Sequence, residues 1–295
     1  MHTFQAAVLL GLLAATSWGI SDFLIGRSSQ AAGAMKGAFL VNTYGAVVYG
    51  LAFLLCLSHH PIFTTGGISY AIAGGALFGM AQATFFKAMS YGPVGLVSAV
   101  SSTYPLITLL VAFTFYAEHL SIREVFGILL IVGGVMVASG LADKKARTGQ
   151  LGKGPLFALI PTLGWGAGYV FIAKAVASIG WGSTLFVELL LTPVSLVAFV
   201  PFLKGDEQFS LTSLRASWKL PSLWGAAIIQ MLGLLIVNIA LSKVPAHAAV
   251  IIAVSSCYPA LTIFLAFLHL GERIPFLPLM GGLVGVLGVV LLALG

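Results

Sequence analysis

Ten apolar stretches, each about as long as a bilayer is thick, dominate the chain and restrict what it can fold into. A bilayer's hydrocarbon core is about 30 Å thick and a helix rises about 1.5 Å per residue, so about 20 apolar residues cross it. Stretches of that length lie near 6–26, 37–57, 68–88, 93–115, 122–141, 155–178, 181–203, 221–241, 246–268 and 275–294. Lipid offers backbone N–H and C=O groups no partners, so spanning segments are helices or strands of a closed barrel; these are too long and too continuously apolar for barrel strands. Of the 295 residues 59% are hydrophobic and 7% charged, against about 25% charged in a soluble domain. The sequence therefore predicts an all-α membrane protein of ten transmembrane helices, with no connection long enough to hold a water-soluble domain. The first span lacks a basic leader and is read as retained. Cys56 and Cys257 both fall inside predicted spans, which argues against a disulfide framework.

The spans fall into two sets. AVSSTYP at 99–105 returns as AVSSCYP at 253–259, 154 positions later, and the register continues through Thr108 and Thr262, Phe113 and Phe267, Glu118 and Glu272, Gly127 and Gly281, and Gly134 and Gly288. Upstream, Trp18-Gly19 matches Trp165-Gly166 at an offset of 147. The chain thus divides into a first five-helix repeat, residues 1–141, a basic linker, 142–154, and a second repeat, 155–295. Five is odd, so the second repeat enters the bilayer from the opposite side. Such inverted repeats can exchange conformations about an axis in the membrane plane, which gives alternating access. Eleven of the 14 Lys and Arg lie on the linker's side. The positive-inside rule then places the linker in the cytoplasm and both termini outside, in the inner (cytoplasmic) membrane. The net charge of +6 is read as this topology signal, not as nucleic-acid binding.

Each repeated heptad lies mid-span, and Pro105 and Pro259 predict a helix kink there, because proline removes a donor and crowds the carbonyl four residues back. Ser101 and Ser255 are candidates to satisfy the freed backbone or to face a cavity; Tyr104 and Tyr258 are candidates to hold or gate a solute. Polar residues inside spans carry further information, since each is costly unless paired or hydrated. Asp22 lies four residues after Trp18, on the same helical face. Glu188 is the deepest carboxylate. Gln82, Gln230, Asn238 and Asn42 are the buried amides, and Trp165, Tyr44 and Tyr169 add aromatic wall. Glu188 and Asp22 are the candidates for exchanging protons with the open side; the structural alternative pairs Asp22 with Arg27, and Glu188 with an amide or basic group. Aromatic walls with few fixed charges suit a neutral, zwitterionic or moderately apolar solute better than a polyphosphate. Glu118 and Glu272 are read as helix caps, with Arg123 and Arg273 nearby.

These features together, namely WG in the first span of each half, a Pro-bearing fourth span, and a Glu before a Gly-rich fifth span (AEHLSIREVFGILLIVGGVMVASG and GERIPFLPLMGGLVGVLGVVLLALG), resemble the drug/metabolite transporter superfamily in its ten-span EamA-type branch. The first half departs from the pattern in reading AEHL where GER is common. The resemblance implies a secondary transporter whose central cavity is lined by the first four spans of each half, spans 5 and 10 being peripheral. It also implies cargo among amino acids, sugars, nucleotide-linked metabolites and drugs. On it rests a preference for export of amino acids or related compounds, with sugar uptake or lipid flipping as alternatives. No HExxH, GxGD or GxSG constellation and no GxxxxGK[ST] loop occurs, so neither an enzyme nor an ATP-driven pump is predicted. His59-His60 lack metal-site spacing, so no metal and no cofactor is expected. The expected partners are a small-molecule substrate, a proton and membrane lipid, and a monomer is compatible with this reading.

Overall fold

The computed structural model describes residues 2–56, 63–91, 94–116, 121–138, 154, 157–203, 210–270 and 276–293. Glu118, Glu272, Arg273, His59, His60 and the linker up to residue 153 lie outside them. The described chain is helical throughout: α1 (His2–Ala32), α2 (Ala34–Cys56), α3 (Thr65–Tyr91), α4 (Val94–Ser101), α5 (Tyr104–Tyr116), α6 (Ile122–Ala138), α7 (Leu159–Leu203), α8 (Leu211–Ser217), α9 (Pro221–Lys243), α10 (Ala248–Ser255), α11 (Tyr258–Leu270) and α12 (Phe276–Ala293). Among the described residues, six stretches are long and apolar enough to cross a membrane: Thr3–Ser29, Ala34–Leu55, Thr65–Tyr91, Leu159–Phe199, Pro221–Lys243 and Val250–His269. The chain is a multi-pass membrane protein.

Two glycines set the turns. Gly33 (φ 95°) separates α1 from α2, and Gly180 (φ 76°, ψ 161°) interrupts α7. They stand 147 positions apart, the same offset that relates the two Trp-Gly pairs. The Gly180 conformation is open essentially to glycine alone. Its position along α3 shows that the chain reverses there. Gly67 of α3 packs on Ser178 and Ile179, Gly74 on Ile172 and the Gly168 carbonyl, Gly75 on Glu188 and Leu191, and Gly79 on Thr192 and Ser195. Moving along α3, the partner number falls on the arm before Gly180 and rises on the arm after it, so both arms leave Gly180 in the same direction. The Leu159–Phe199 stretch of 41 residues is thus a hairpin of two membrane-length arms cradling α3.

The expected connection at residues 27–36 contracts to Gly33 alone. Its polarity misleads, because Ser28 donates to the Leu24 carbonyl at 2.7 Å and meets Ser222 of α9 at 2.9 Å. Ser28 is thus satisfied inside the bundle and the helix continues. The expected kinks are full interruptions, at residues 102–103 and 256–257. There the backbone tightens to three-residue bonds, Thr103 N to Val100 O at 3.2 Å and Cys257 N to Val254 O at 3.1 Å. Pro105 and Pro259 then occupy the second position of the following helix, where a missing N–H costs nothing.

Lipid is as apolar as leucine, so cohesion within the bundle comes from close packing and interhelical hydrogen bonds. Glycines supply the first. A Cβ on Gly288 of α12 would stand 2.8 Å from the Gly127 carbonyl of α6, and one on Gly134 would stand 2.7 Å from the Gly281 carbonyl. Outward faces carry Leu9, Val48, Leu51 and Leu55, all exposed, as a lipid-facing surface requires.

Gly180→Ala is expected to cost about 1–3 kcal/mol, read as a lower thermal midpoint of the purified protein. Gly66→Ala, whose Cβ meets nothing within 4 Å, should leave the midpoint unchanged or raise it.

Candidate functional site

The two interrupted helices clasp each other's half of the chain through equivalent positions. The Tyr104 hydroxyl reaches the Ile252 carbonyl at 3.5 Å and the Ser255 hydroxyl at 3.2 Å. The Tyr258 hydroxyl, 154 residues on, donates to the Ser98 carbonyl at 3.3 Å, and Ser98 itself stands 154 residues before Ile252. One turn further, Thr108 donates to the Gly166 carbonyl at 3.0 Å and Thr262 to the Gly19 carbonyl at 3.2 Å. The Trp-Gly pairs make this approach work. A Cβ on Gly19 would stand 2.8 Å from the Tyr258 carbonyl, and one on Gly166 would stand 2.8 Å from the Tyr104 carbonyl. The tryptophan before each glycine then sets its edge against the clasping tyrosine, Trp18 to Tyr258 at 6.3 Å between centroids and Trp165 to Tyr104 at 6.2 Å.

Between the clasps lies a narrow cavity lined by Trp18, Asp22, Ile25, Phe78, Gln82, Phe85, Tyr104, Trp165, Tyr169, Gln230, Leu234 and Tyr258. Its wall is mainly aromatic: Tyr169 stacks on Tyr104 at 5.3 Å and meets Phe78 edge-on at 4.9 Å, while Phe85 leans on Trp165 at 5.0 Å. Three polar side chains interrupt it. Asp22 is 7% exposed and accepts a hydrogen bond from the Ser98 hydroxyl at 2.7 Å. Gln82 and Gln230, from α3 and α9, are buried and each has an amide oxygen without a partner. A solute with hydroxyl or N–H groups would satisfy them, since an amide turned about its last bond offers either a donor or an acceptor. No basic side chain is among the lining residues.

Of the residues singled out from the sequence, Trp18, Asp22, Gln82, Tyr104, Trp165, Tyr169, Gln230 and Tyr258 meet in this cavity. Ser255 stands behind it as the partner of Tyr104. The others are occupied elsewhere. Asn42 donates to the Ala38 carbonyl of its own helix at 2.8 Å, and Ser101 to the Val97 carbonyl at 2.9 Å. Tyr44 stacks on Trp224 at 3.9 Å and meets Trp218 at 4.7 Å. Glu188 lies in the α3 groove beside Gly75 and accepts from Asn238 at 3.4 Å, with its second oxygen unpartnered. Asp22 takes Ser98, not Arg27, as its hydrogen-bond partner. Sequence reading missed Ser98 and, in the cavity wall, Ile25, Phe78 and Leu234. Ser98 had a signal: with Ser101, Ser102 and Pro105 it falls at i, i+3, i+4 and i+7, one helical face.

The profile of the EamA-like transporter family matches residues 5–140 and again 152–294. An uncharacterized transporter of Archaeoglobus fulgidus is 24% identical over 290 residues, covering 97% of this chain and 98% of that protein. A Listeria monocytogenes protein named for sugar uptake is 24% identical over 184 residues, which are 60% of this chain and 62% of that protein's length. A crystal structure 20% identical in sequence superposes with a TM-score of 0.66, over 97% of this chain and 95% of that one, which shows a shared fold. The family consists of transporters, not enzymes, and the chain belongs to it.

Proposed function

We propose that the chain is a secondary transporter working by alternating access, built as two inverted five-helix repeats, residues 1–141 and 155–295, around the aromatic cavity. The observation that carries this is the reciprocal clasp. Tyr104 and Tyr258 make the same bond to the other half of the chain at positions related by one offset, with the cavity between them. Two halves that differ only slightly in how they grip each other can trade arrangements at low cost, which is what alternating access requires. The linker 142–154 is cytoplasmic and both termini lie outside in the cytoplasmic membrane, on the distribution of basic residues.

The cargo is a small uncharged, hydroxylated solute of the sugar class. Rings provide stacking faces, and Asp22, Gln82 and Gln230 provide hydrogen bonds. The α-carboxylate of a free amino acid would find no cation on the wall and would face Asp22. This moves the preference from amino acids to sugars, the direction in which the name of the Listeria relative also points. Export and uptake are one cycle run in opposite senses, and the gradients choose. Asp22 exchanges the proton that couples transport, because it alone of the two buried carboxylates opens onto the cavity. The Glu188 side chain ties the hairpin to α9 instead, accepting a hydrogen bond from Asn238.

In proteoliposomes, unlabelled hexoses should compete with uptake of a labelled hexose while free amino acids do not; the reverse order would return the preference to amino acids. Asp22→Asn should reduce proton-driven uptake about tenfold or more, on the scale of a hydrogen bond to a charged group, with folded yield preserved. Glu188→Gln should keep the pH dependence of uptake and lower the thermal midpoint instead. A flat pH profile in Glu188→Gln would assign the proton to Glu188.

A further inference from the structure

The two clasps are equivalent in their backbone acceptors and unequal in their side chains. The Tyr258 hydroxyl bonds the carbonyl of Ser98; the Tyr104 hydroxyl bonds the carbonyl of Ile252. Ser98 goes on to donate its own hydroxyl to Asp22 at 2.7 Å, and Asp22 stands 147 positions before Tyr169. So one corner joins a tyrosine, a serine and a carboxylate in series, where the other joins a tyrosine to an isoleucine carbonyl and to the Ser255 hydroxyl, with a phenol, Tyr169, in place of the carboxylate. Ser98 is fully buried and does not line the cavity, whereas Asp22 does. The Ser98 carbonyl also accepts the Ser102 amide at 3.0 Å, at the point where α4 gives way to the interruption.

We infer that Ser98 is a positioning residue that ties the protonation and occupancy of Asp22 to the Tyr258 clasp, so that the two access states respond unequally to protons. This rests on the alternating-access reading. A carboxylate is acceptor-only and draws the serine O–H strongly; once a proton from water has been added to it, it has its own O–H to place and accepts less well. The Ser98 hydroxyl is then free to turn to a carbonyl one helical turn back, the bond Ser101 already makes to Val97. That rotation loosens α1 from α4 at one clasp and leaves the other, which has no acid in series, as it was.

The groups facing Asp22 limit what else could titrate there. Tyr104 and Tyr258 face it from α5 and α11, Tyr169 from α7, Gln82 from α3 and Gln230 from α9, all across the cavity. On its own helix Arg27 is exposed, and His269 of α11 lies against neighbouring Phe23 with ring centroids 5.4 Å apart. On α3, Lys87 lies 5.0 Å from the centre of the Tyr91 ring.

The test needs no substrate. Hydrogen–deuterium exchange of the full chain in lipid nanodiscs, followed from pH 5 to 9 and corrected for intrinsic rates, should show protection of residues 94–103 changing about tenfold, as expected for a hydrogen bond to a charged group. Residues 248–257 should show no such change. Ser98→Ala and Asp22→Asn should each abolish the response, and the double variant should add nothing further. Ser98→Thr, which keeps the hydroxyl, should retain it, and so should His269→Gln. A response that survives Ser98→Ala, or that appears equally in residues 248–257, overturns the inference, as does its absence from the unaltered protein. Failure of hexose transport with this response intact would refute the cargo assignment and leave the role of Ser98 standing.

Discussion

Everything in this molecule hangs on two tyrosine hydroxyls that each cross from one interrupted helix to a backbone carbonyl of the other half. A hydroxyl inside a bilayer must find a partner, and these find theirs only if the two halves stand at one particular separation. That separation is fixed by Gly19 and Gly166, where any side chain would strike the opposite tyrosine's carbonyl. The tryptophan before each glycine, Trp18 or Trp165, forms part of the cavity wall.

Such a grip suits a protein that moves. Hydrophobic burial does little to hold helices together in lipid, so the bundle relies on glycine contacts and a few hydrogen bonds, each of modest strength. The α6 and α12 pair packs backbone against backbone, while α3 rides in the hairpin of α7. An element held by few, specific contacts can exchange one set for an equivalent set, whereas a densely interdigitated core cannot.

The helical membrane architecture and the twofold pattern were legible in the letters, because hydropathy and repetition are local properties. Trp18 and Asp22, four apart, could be placed on one face, and they do share the cavity. What escaped was whatever depended on a partner helix. The run RSSQAAGAMK looks like a connection by hydropathy, yet Ser28 is satisfied by Ser222, nearly two hundred positions away. Asn42 and Tyr44 have the right chemistry for a solute site and spend it on their own helix and on Trp224. The turn glycines Gly33 and Gly180 share the repeat offset, but with 35 glycines in the chain nothing in the sequence marks these two as the ones with positive φ.

The proposed transport cycle requires two equivalent halves that enter the membrane from opposite sides. The turns at Gly33 and Gly180 test this most directly, since equivalent turns of inverted units must face opposite compartments. Ala31 and Ala177 are exposed beside them, and each can be replaced by cysteine in a protein whose Cys56 and Cys257 have been removed. A membrane-impermeant thiol reagent applied to intact cells should label the Ala177→Cys protein and leave the Ala31→Cys protein unlabelled until the membrane is opened. Labelling of both from the same side would contradict the inverted arrangement, and with it the cycle proposed for the cavity.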